Sequence, residues 1–112
     1  MSNEKAIAKI EKAAAKKKTA AIIKLMGKAE KETLLKALEA LGAIGDEDSR
    51  NHITHYLDHE DGAIRLAACK AALTINTEYM KTRVRHQLAM EKDEAIKAQI
   101  QEAFNQARGT NV

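Results

Sequence analysis

Four histidines and one cysteine are the residues best suited to bind a metal or act as nucleophiles. His52, His55 and His59 follow one another at i, i+3 and i+7, and His86 lies 31 residues after His55. Neutral imidazoles on one helical face can ligate zinc or nickel. The spacing is not His-x-x-x-His, however, and no cysteine belongs to the group. We therefore expect a solvated helix face, with metal binding and a pH-sensitive contact as the less favoured alternatives.

Catalytic motifs are lacking elsewhere in the sequence. No serine, cysteine or aspartate lies near a histidine in a recognisable nucleophile motif, and no glycine-rich phosphate loop occurs. Cys69 lies on an apolar helix face, where a thiol is usually inert. The acidic residues of the turns, such as Asp46 and Asp61, are explained by helix capping. The sequence predicts a protein that is not an enzyme and needs no cofactor.

Positive charge is concentrated at the N-terminal end. Residues 1–31 hold nine lysines and three glutamates, a net charge of +6, whereas residues 32–112 hold ten basic and thirteen acidic residues, a net of −3. Such lysines could neutralise nucleic-acid phosphates, and the candidate patch consists of Lys12, Lys16, Lys17, Lys18 and Lys24. Neither arginine nor aromatic residues interleave with them for phosphate forks or base stacking. A solvated helix face is favoured, and nucleic-acid binding remains the alternative.

The bulk composition is that of a small helical domain. The 112 residues include no proline and only three aromatic side chains, Tyr56, Tyr79 and Phe104. A core of alanine, leucine and isoleucine indicates closely packed helices with little room for a cofactor. One cysteine excludes an internal disulfide and suits a reducing compartment. The sequence has neither a signal-peptide-like stretch nor a membrane span, so we expect a cytoplasmic protein.

The apolar residues repeat at a spacing of 31 to 32. Adding 31 to Ala37, Ala40 and Ile44 gives Ala68, Ala71 and Ile75. Residues 92–107 continue the pattern at a spacing of 32. A period in this range is typical of stacked supersecondary units. The sequence therefore predicts a helical repeat array, a class of fold that usually presents binding surfaces.

Turn and capping residues divide the chain into seven predicted helices. Their approximate bounds are 3–16, 19–27, 30–43, 47–59, 62–75, 77–90 and 93–108. The predicted N-caps are Thr19, Asp46 or Asp48, Asp61, Asn76 or Thr77, and Asp93. Connections this short make neighbouring helices antiparallel.

The fifth predicted helix is apolar on two opposed faces. Ile64 and Ala68 lie on one face, and Leu66 and Cys69 lie on the other. Such a helix must be covered on both sides, as an internal repeat is. The first and seventh helices keep only one apolar face, which is typical of terminal capping repeats. We expect a short array capped at both ends rather than a fragment of a longer one.

Two motifs in the central repeat carry a resemblance to a known family. Residues 40–46 read Ala-Leu-Gly-Ala-Ile-Gly-Asp, and residues 61–65 read Asp-Gly-Ala-Ile-Arg. They resemble the HEAT-like repeats of the bacterial type also found in phycobilisome lyases. The resemblance implies an all-α, right-handed superhelix of helix hairpins that works as a binding scaffold. It also implies that Arg65 pairs with turn aspartates, for which Asp61 and Asp93 are the natural partners.

The predicted organisation is one domain over residues 1–112. A basic N-terminal capping helix covers residues 1–18, and hairpin repeats cover 19–45, 46–76 and 77–108. In a solenoid the exposed strips of the second helices form a concave ridge. Here the predicted ridge residues are Lys36, Glu39, Lys70, Thr74, Gln99 and Glu102.

Two interpretations of this ridge remain open. It could dock a protein or peptide, or Glu39, Lys70 and Glu102 could form only a surface ion-pair ladder that adds little stability. Docking of a protein or peptide is the favoured function, with nucleic-acid binding through the lysines second. The resemblance alone implies a third possibility, an accessory subunit that holds an enzyme or a chromophore protein.

Overall fold

The computed structural model describes residues 3–109, with side chains described for residues 3–107. Seven α-helices and no strands occur in this range. The helices are α1 (Asn3–Ala15), α2 (Thr19–Met26), α3 (Lys31–Ile44), α4 (Glu47–Thr54), α5 (Gly62–Ile75), α6 (Glu78–Met90) and α7 (Glu94–Gly109). The molecule measures 36 × 28 × 19 Å along its three principal axes.

The helices form two layers. An inner layer places α1, α3, α5 and α7 side by side, and the closest packing in the molecule is that of α3 on α5. Each helix of the outer layer lies over two inner helices: α2 over α1 and α3, α4 over α3 and α5, and α6 over α5 and α7. This arrangement of stacked hairpins is an α-solenoid, as the repeat pattern predicts.

Small residues allow the close approach of α3 and α5. A Cβ atom added to Gly42 would lie only 2.9 Å from the Cα atom of Ala71. Around this contact Ala37, Leu41 and Ala68 are fully buried. Both faces of α5 are covered, because Ile64 and Cys69 are each buried. The predicted internal character of this helix is confirmed.

The terminal helices are one-sided. In α7, Ile100 and Phe104 are buried, whereas Gln101 and Asn105 on the other face are exposed. In α1, Ile10 is fully buried beneath an exposed lysine face. The one-sided faces predicted for these two helices are confirmed.

Most of the predicted caps are present. The carboxylates of Asp46 and Asp61 accept bonds of 2.8 Å from the amides of Ser49 and Ala63. Thr77 caps α6, and Asn76 instead ends α5 in the left-handed conformation. The Asp93 carboxylate likewise accepts from an amide of α7, that of Ile96.

Two local predictions are wrong. Thr19 is the first helical residue of α2 and does not cap it; its hydroxyl donates a 2.7 Å bond to the Asp46 carboxylate. Helix α4 ends at Thr54 and not at residue 59. The next amides, from His55 to Leu57, bond to carbonyls three residues back, and this tighter winding ends the helix and directs Leu57 into the core.

Candidate docking surface

The predicted ridge residues lie on three neighbouring helices of the inner layer. Lys36 and Glu39 belong to α3, Lys70 and Thr74 to α5, and Gln99 and Glu102 to α7. Five of the six are exposed, and Lys36 is half-buried. We call these six residues the docking ridge.

Ion pairs occupy the α3 part of the docking ridge. The Lys36 ammonium lies 3.1 Å from a Glu39 carboxylate oxygen and 3.6 Å from one of Glu11 on α1. The hydrogen bond that Lys36 donates to Glu39, and the negative charge of Glu39, raise the pKa of Lys36. Because these pairs are exposed, they add little to stability. They do extend the polar surface from α3 onto α1.

The predicted ion-pair ladder does not form. Among residues 3–107, Lys70 makes no ion pair, with Glu39 and Glu102 or with any other acid. Glu39 is engaged by Lys36, and Glu102 accepts a 3.1 Å bond from the Gln106 amide on its own helix. The ammonium of Lys70 is therefore available to a partner.

A shallow groove lies between α5 and α7 beside Lys70. Its volume is about 510 Å³, and its lining includes Leu73, Thr74, Ala103 and Gln106. The Thr74 hydroxyl donates to the Lys70 carbonyl on its own helix. The groove offers both polar and apolar contact, with one cation at its edge.

The lysine patch surrounds the turn between α1 and α2. Lys12 lies on α1, Lys24 lies on α2, and Lys16, Lys17 and Lys18 make up the whole turn between them. All five are exposed, and none forms an ion pair with a described residue. The backbone of Lys17 is left-handed, with φ of 54°. The aromatic residues lie on other elements, so the patch has no stacking platform.

The histidines of α4 and of the turn after it make ring contacts with one another or with Tyr56. His52 and His55 make an edge-to-face ring contact at 5.6 Å, and His59 stacks on Tyr56 at 6.1 Å. Nδ1 of His59 accepts the amide hydrogen of Asp61, which holds the turn before α5. Burial, and to a smaller extent the charge of His55, lowers the pKa of His52. No group of three potential ligands converges among the described residues.

Arg65 is a structural residue, but its predicted carboxylate partners are wrong. Nε and Nη2 each donate 2.8 Å bonds to the two oxygens of Glu91, and Nη1 donates to the carbonyls of His59 and Glu60. Asp61 instead pairs with Lys31 at 3.0 Å, and Asp93 caps α7. The Glu91 side chain is only 1% exposed.

Glu91 joins α5 to the turn between α6 and α7. Its carboxylate also accepts from Nε2 of the buried Gln87 at 3.2 Å and from the Asp93 amide at 3.1 Å. The bonds from Arg65 lower the pKa of Glu91, and burial only partly opposes them. Sequence reasoning missed Glu91, because nothing in the residue types distinguishes it from the other turn acids.

A pocket of about 270 Å³ lies over this ion pair, and a groove of about 1010 Å³ lies between α1 and α2. The two occupy equivalent places in the repeats, because five lining residues of the groove match lining residues of the pocket when 62 is added. The matches are Asn3 with Arg65, Leu25 with Gln87, Lys28 with Met90, Ala29 with Glu91, and Glu30 with Lys92. In one repeat this position is a small pocket lined mainly by polar side chains. In the other repeat it is a larger and mainly apolar groove.

The remaining reactive group is the thiol of Cys69. It is fully buried in α5, and burial raises its pKa to about 12. The thiol is therefore protonated and inert at neutral pH.

None of the helices in the described range is long and apolar enough to cross a membrane.

The helix hairpins are stacked, and one face of the inner layer is exposed along α3, α5 and α7. No catalytic group is assembled among residues 3–107. These features define a helical-repeat protein of the α-solenoid class. A family model described as HEAT repeats matches residues 19–105, which is most of the chain. The chain belongs to the HEAT repeat family. The comparisons with curated proteins and with solved structures give no match. HEAT repeats are commonly scaffolds for protein interactions and are generally not enzymes.

Proposed function

We propose that this protein is a non-catalytic scaffold that docks a protein or peptide on the docking ridge. The observation that carries the proposal is Lys70, an exposed cation without an ion-pair partner among the described residues, beside the mixed polar and apolar groove between α5 and α7. A groove of this mixed character with one charged anchor suits a peptide that brings a carboxylate and both polar and apolar side chains.

The rest of the docking ridge supports a protein partner over a nucleic acid. Two of its residues are basic, two are acidic and two are neutral, so it offers no continuous positive charge to a phosphate backbone. The close packing of α3 on α5 makes the surface rigid, which lowers the entropic cost of binding.

Affinity capture with the purified chain tests this function. Wild-type, Lys70→Glu and Lys97→Glu proteins are incubated with cytosol, each with and without nuclease. Lys97 is an exposed lysine of α7 outside the docking ridge and serves as the matched control. We expect one discrete protein that is retained after nuclease, kept by Lys97→Glu and lost with Lys70→Glu. Equal capture by all three proteins would contradict docking at Lys70.

Nucleic-acid binding through the lysine patch is the second candidate. It is favoured by the exposure of all five lysines and by their lack of ion pairs with described residues. Binding of this kind weakens steeply as salt rises, whereas docking on the mixed ridge should respond weakly. Captured material that disappears with nuclease would favour this candidate.

The finer assignments rest on the sequence. We retain a basic capping helix at residues 1–18, hairpin repeats at 19–45, 46–76 and 77–108, and a right-handed superhelix. A cytoplasmic location is supported by the single, buried Cys69. An accessory role like that implied by the resemblance to phycobilisome lyase repeats remains a prediction.

A further inference from the structure

The groove between α1 and α2 lies at the opposite end of the molecule from α7. Its floor is apolar and is made by Ala6 and Ala13 of α1, Ala21 and Leu25 of α2, and Ala29 of the next connection. Three lysines stand at its edges: Lys9, Lys24 and Lys28. None of the six residues of the docking ridge lines this groove.

The layered architecture shows what kind of element fits the groove. Each outer helix lies over two inner helices. The equivalent pocket over Arg65 is walled on one side by Asp58, which follows the outer helix α4. Ala6 and Lys9 of the groove match Ala68 and Ala71 of α5, which are buried, and Ala71 packs on Gly42 of α3. The groove is therefore a surface of the kind that a neighbouring helix covers in the central repeat.

Charge restricts the chemistry of that helix. Lys9, Lys24 and Lys28 are exposed and form no ion pair with a described residue, and Glu30 is the one acid in the lining. An apolar floor between basic edges is complementary to a helix with an apolar stripe and acidic flanks. The groove has neither aromatic side chains to stack bases nor arginines to hold phosphates.

We propose that the groove between α1 and α2 binds an amphipathic α-helix of a partner protein, with its apolar stripe on Ala21 and Leu25 and its acidic flanks beside Lys24 and Lys28. The bound helix covers this surface as a neighbouring helix covers the matching face of α5 in the central repeat. This surface is separate from the docking ridge, so either can fail without the other.

The groove can be tested without knowing the natural partner. The probe is a displayed library of amphipathic helices about 16 residues long, a length that supports helix formation. Apolar residues are randomised at i, i+3, i+4 and i+7, and the flanking positions are glutamate, glutamine or lysine. We expect selection on the wild-type chain to enrich glutamate-flanked helices.

Single substitutions then place the selected helices on the molecule. Ala21→Glu puts a carboxylate on the groove floor at an exposed position, so the fold should persist, and Ala20→Glu is the adjacent exposed control outside the groove. We expect Ala21→Glu to weaken binding at least about tenfold and Ala20→Glu to change it less than about twofold. Lys28→Glu should weaken binding about threefold, and Lys12→Glu, outside the groove, should not.

Several results would overturn this proposal. They are the absence of enrichment, a preference for lysine flanks, equal binding to Ala21→Glu and wild type, and displacement of the helix by a single-stranded oligonucleotide. Self-association of the chain that Ala21→Glu abolishes would show that the occupant is a second copy. Loss of helix binding with Lys70→Glu would place the helix on the docking ridge instead.

Discussion

The groove between α1 and α2 lies in the first repeat. The pocket over Arg65 lies at the equivalent position of a later repeat. In the pocket, Arg65, Gln87 and Glu91 close the position with charge-assisted hydrogen bonds. In the groove, Asn3, Leu25 and Ala29 stand at the matching positions and leave about 1010 Å³ open. The side chains at this repeated position therefore determine its role. They either join neighbouring repeats or leave a surface open to a partner.

The same contrast extends to the surrounding helices. A Cβ atom added to Gly42 would lie 2.9 Å from the Cα atom of Ala71, which is too close. A Cβ atom added to Gly27 would lie an ordinary 3.6 Å from the Lys24 carbonyl oxygen. We therefore expect substitutions to cost more where α3 packs on α5 than near Gly27. Substitutions at Arg65, at Gly42 and Gly27, and at Thr19 test this expectation.

Arg65→Ala should have the largest effect. It leaves the Glu91 carboxylate, which is 1% exposed, without its cation. Removing one partner of a buried pair typically costs about 3–5 kcal/mol. We expect a loss of this order in the free energy of unfolding, measured by urea denaturation, and a clearly lower Tm. An unchanged Tm would refute the structural role of Arg65.

A double variant, Arg65→Asn with Glu91→Ala, serves as the control for Arg65→Ala. It installs the residue types of Asn3 and Ala29 at the matching positions and leaves no unpaired charge. It should therefore be less destabilised than Arg65→Ala alone.

Gly42→Ala and Gly27→Ala should act in opposite directions. Alanine at residue 42 meets the Ala71 backbone at 2.9 Å, so α3 and α5 must separate, at a cost of about 1–3 kcal/mol. Gly27 has ordinary right-handed dihedral angles, with φ of −59°, and alanine there should stabilise by about 0.4–1 kcal/mol. Both are measured by thermal and urea unfolding. The same sign for both would contradict the division into packed and open parts.

Among the substitutions expected to destabilise the fold, Thr19→Val should have the smallest effect. It removes the 2.7 Å bond to Asp46 but keeps the side-chain volume, so the expected loss is about 0.5–1.5 kcal/mol at pH 7. Thr82→Val is the control, since its hydroxyl bonds only to the Glu78 carbonyl on its own exposed helix. Thr82→Val should change stability by less than about 0.5 kcal/mol.

The effect of Thr19→Val should depend on pH. The Thr19 hydroxyl, followed by the Ser49 contacts, lowers the pKa of Asp46 in the folded state. The stability gained from this ionised carboxylate is therefore present above its unfolded pKa of about 3.9 and is lost as the pH falls through the lower folded value. The difference between Thr19→Val and wild type should shrink below about pH 4. A constant difference would contradict this assignment.

Helix number, layer faces and most caps could be predicted from the sequence, because the 31-residue spacing and the capping side chains are local signals. The capping carboxylates of Asp46 and Asp61 are examples. The early end of α4 could not be predicted, since its last turn tightens where Tyr56 and Leu57 turn toward the core. There tertiary packing overrides the helical pattern.

Long-range side-chain partners were the harder part. Arg65 was recognised as structural, yet three acids near the turns, Asp61, Asp93 and Glu91, are equivalent by type. Only the packing of α6 against α5 shows which one is buried. The groove between α1 and α2 was missed for a related reason, because an open volume depends on how α1, α2 and the connection to α3 pack together.

The most direct test of the docking ridge is a titration of the 15N-labelled chain with the captured partner, followed by amide chemical-shift mapping at two salt concentrations. The account predicts shifts concentrated at Lys70, Thr74, Gln99 and Glu102 that persist at the higher salt. Shifts confined to the lysine patch and lost at the higher salt would contradict it and move the function to the lysines of α1 and α2.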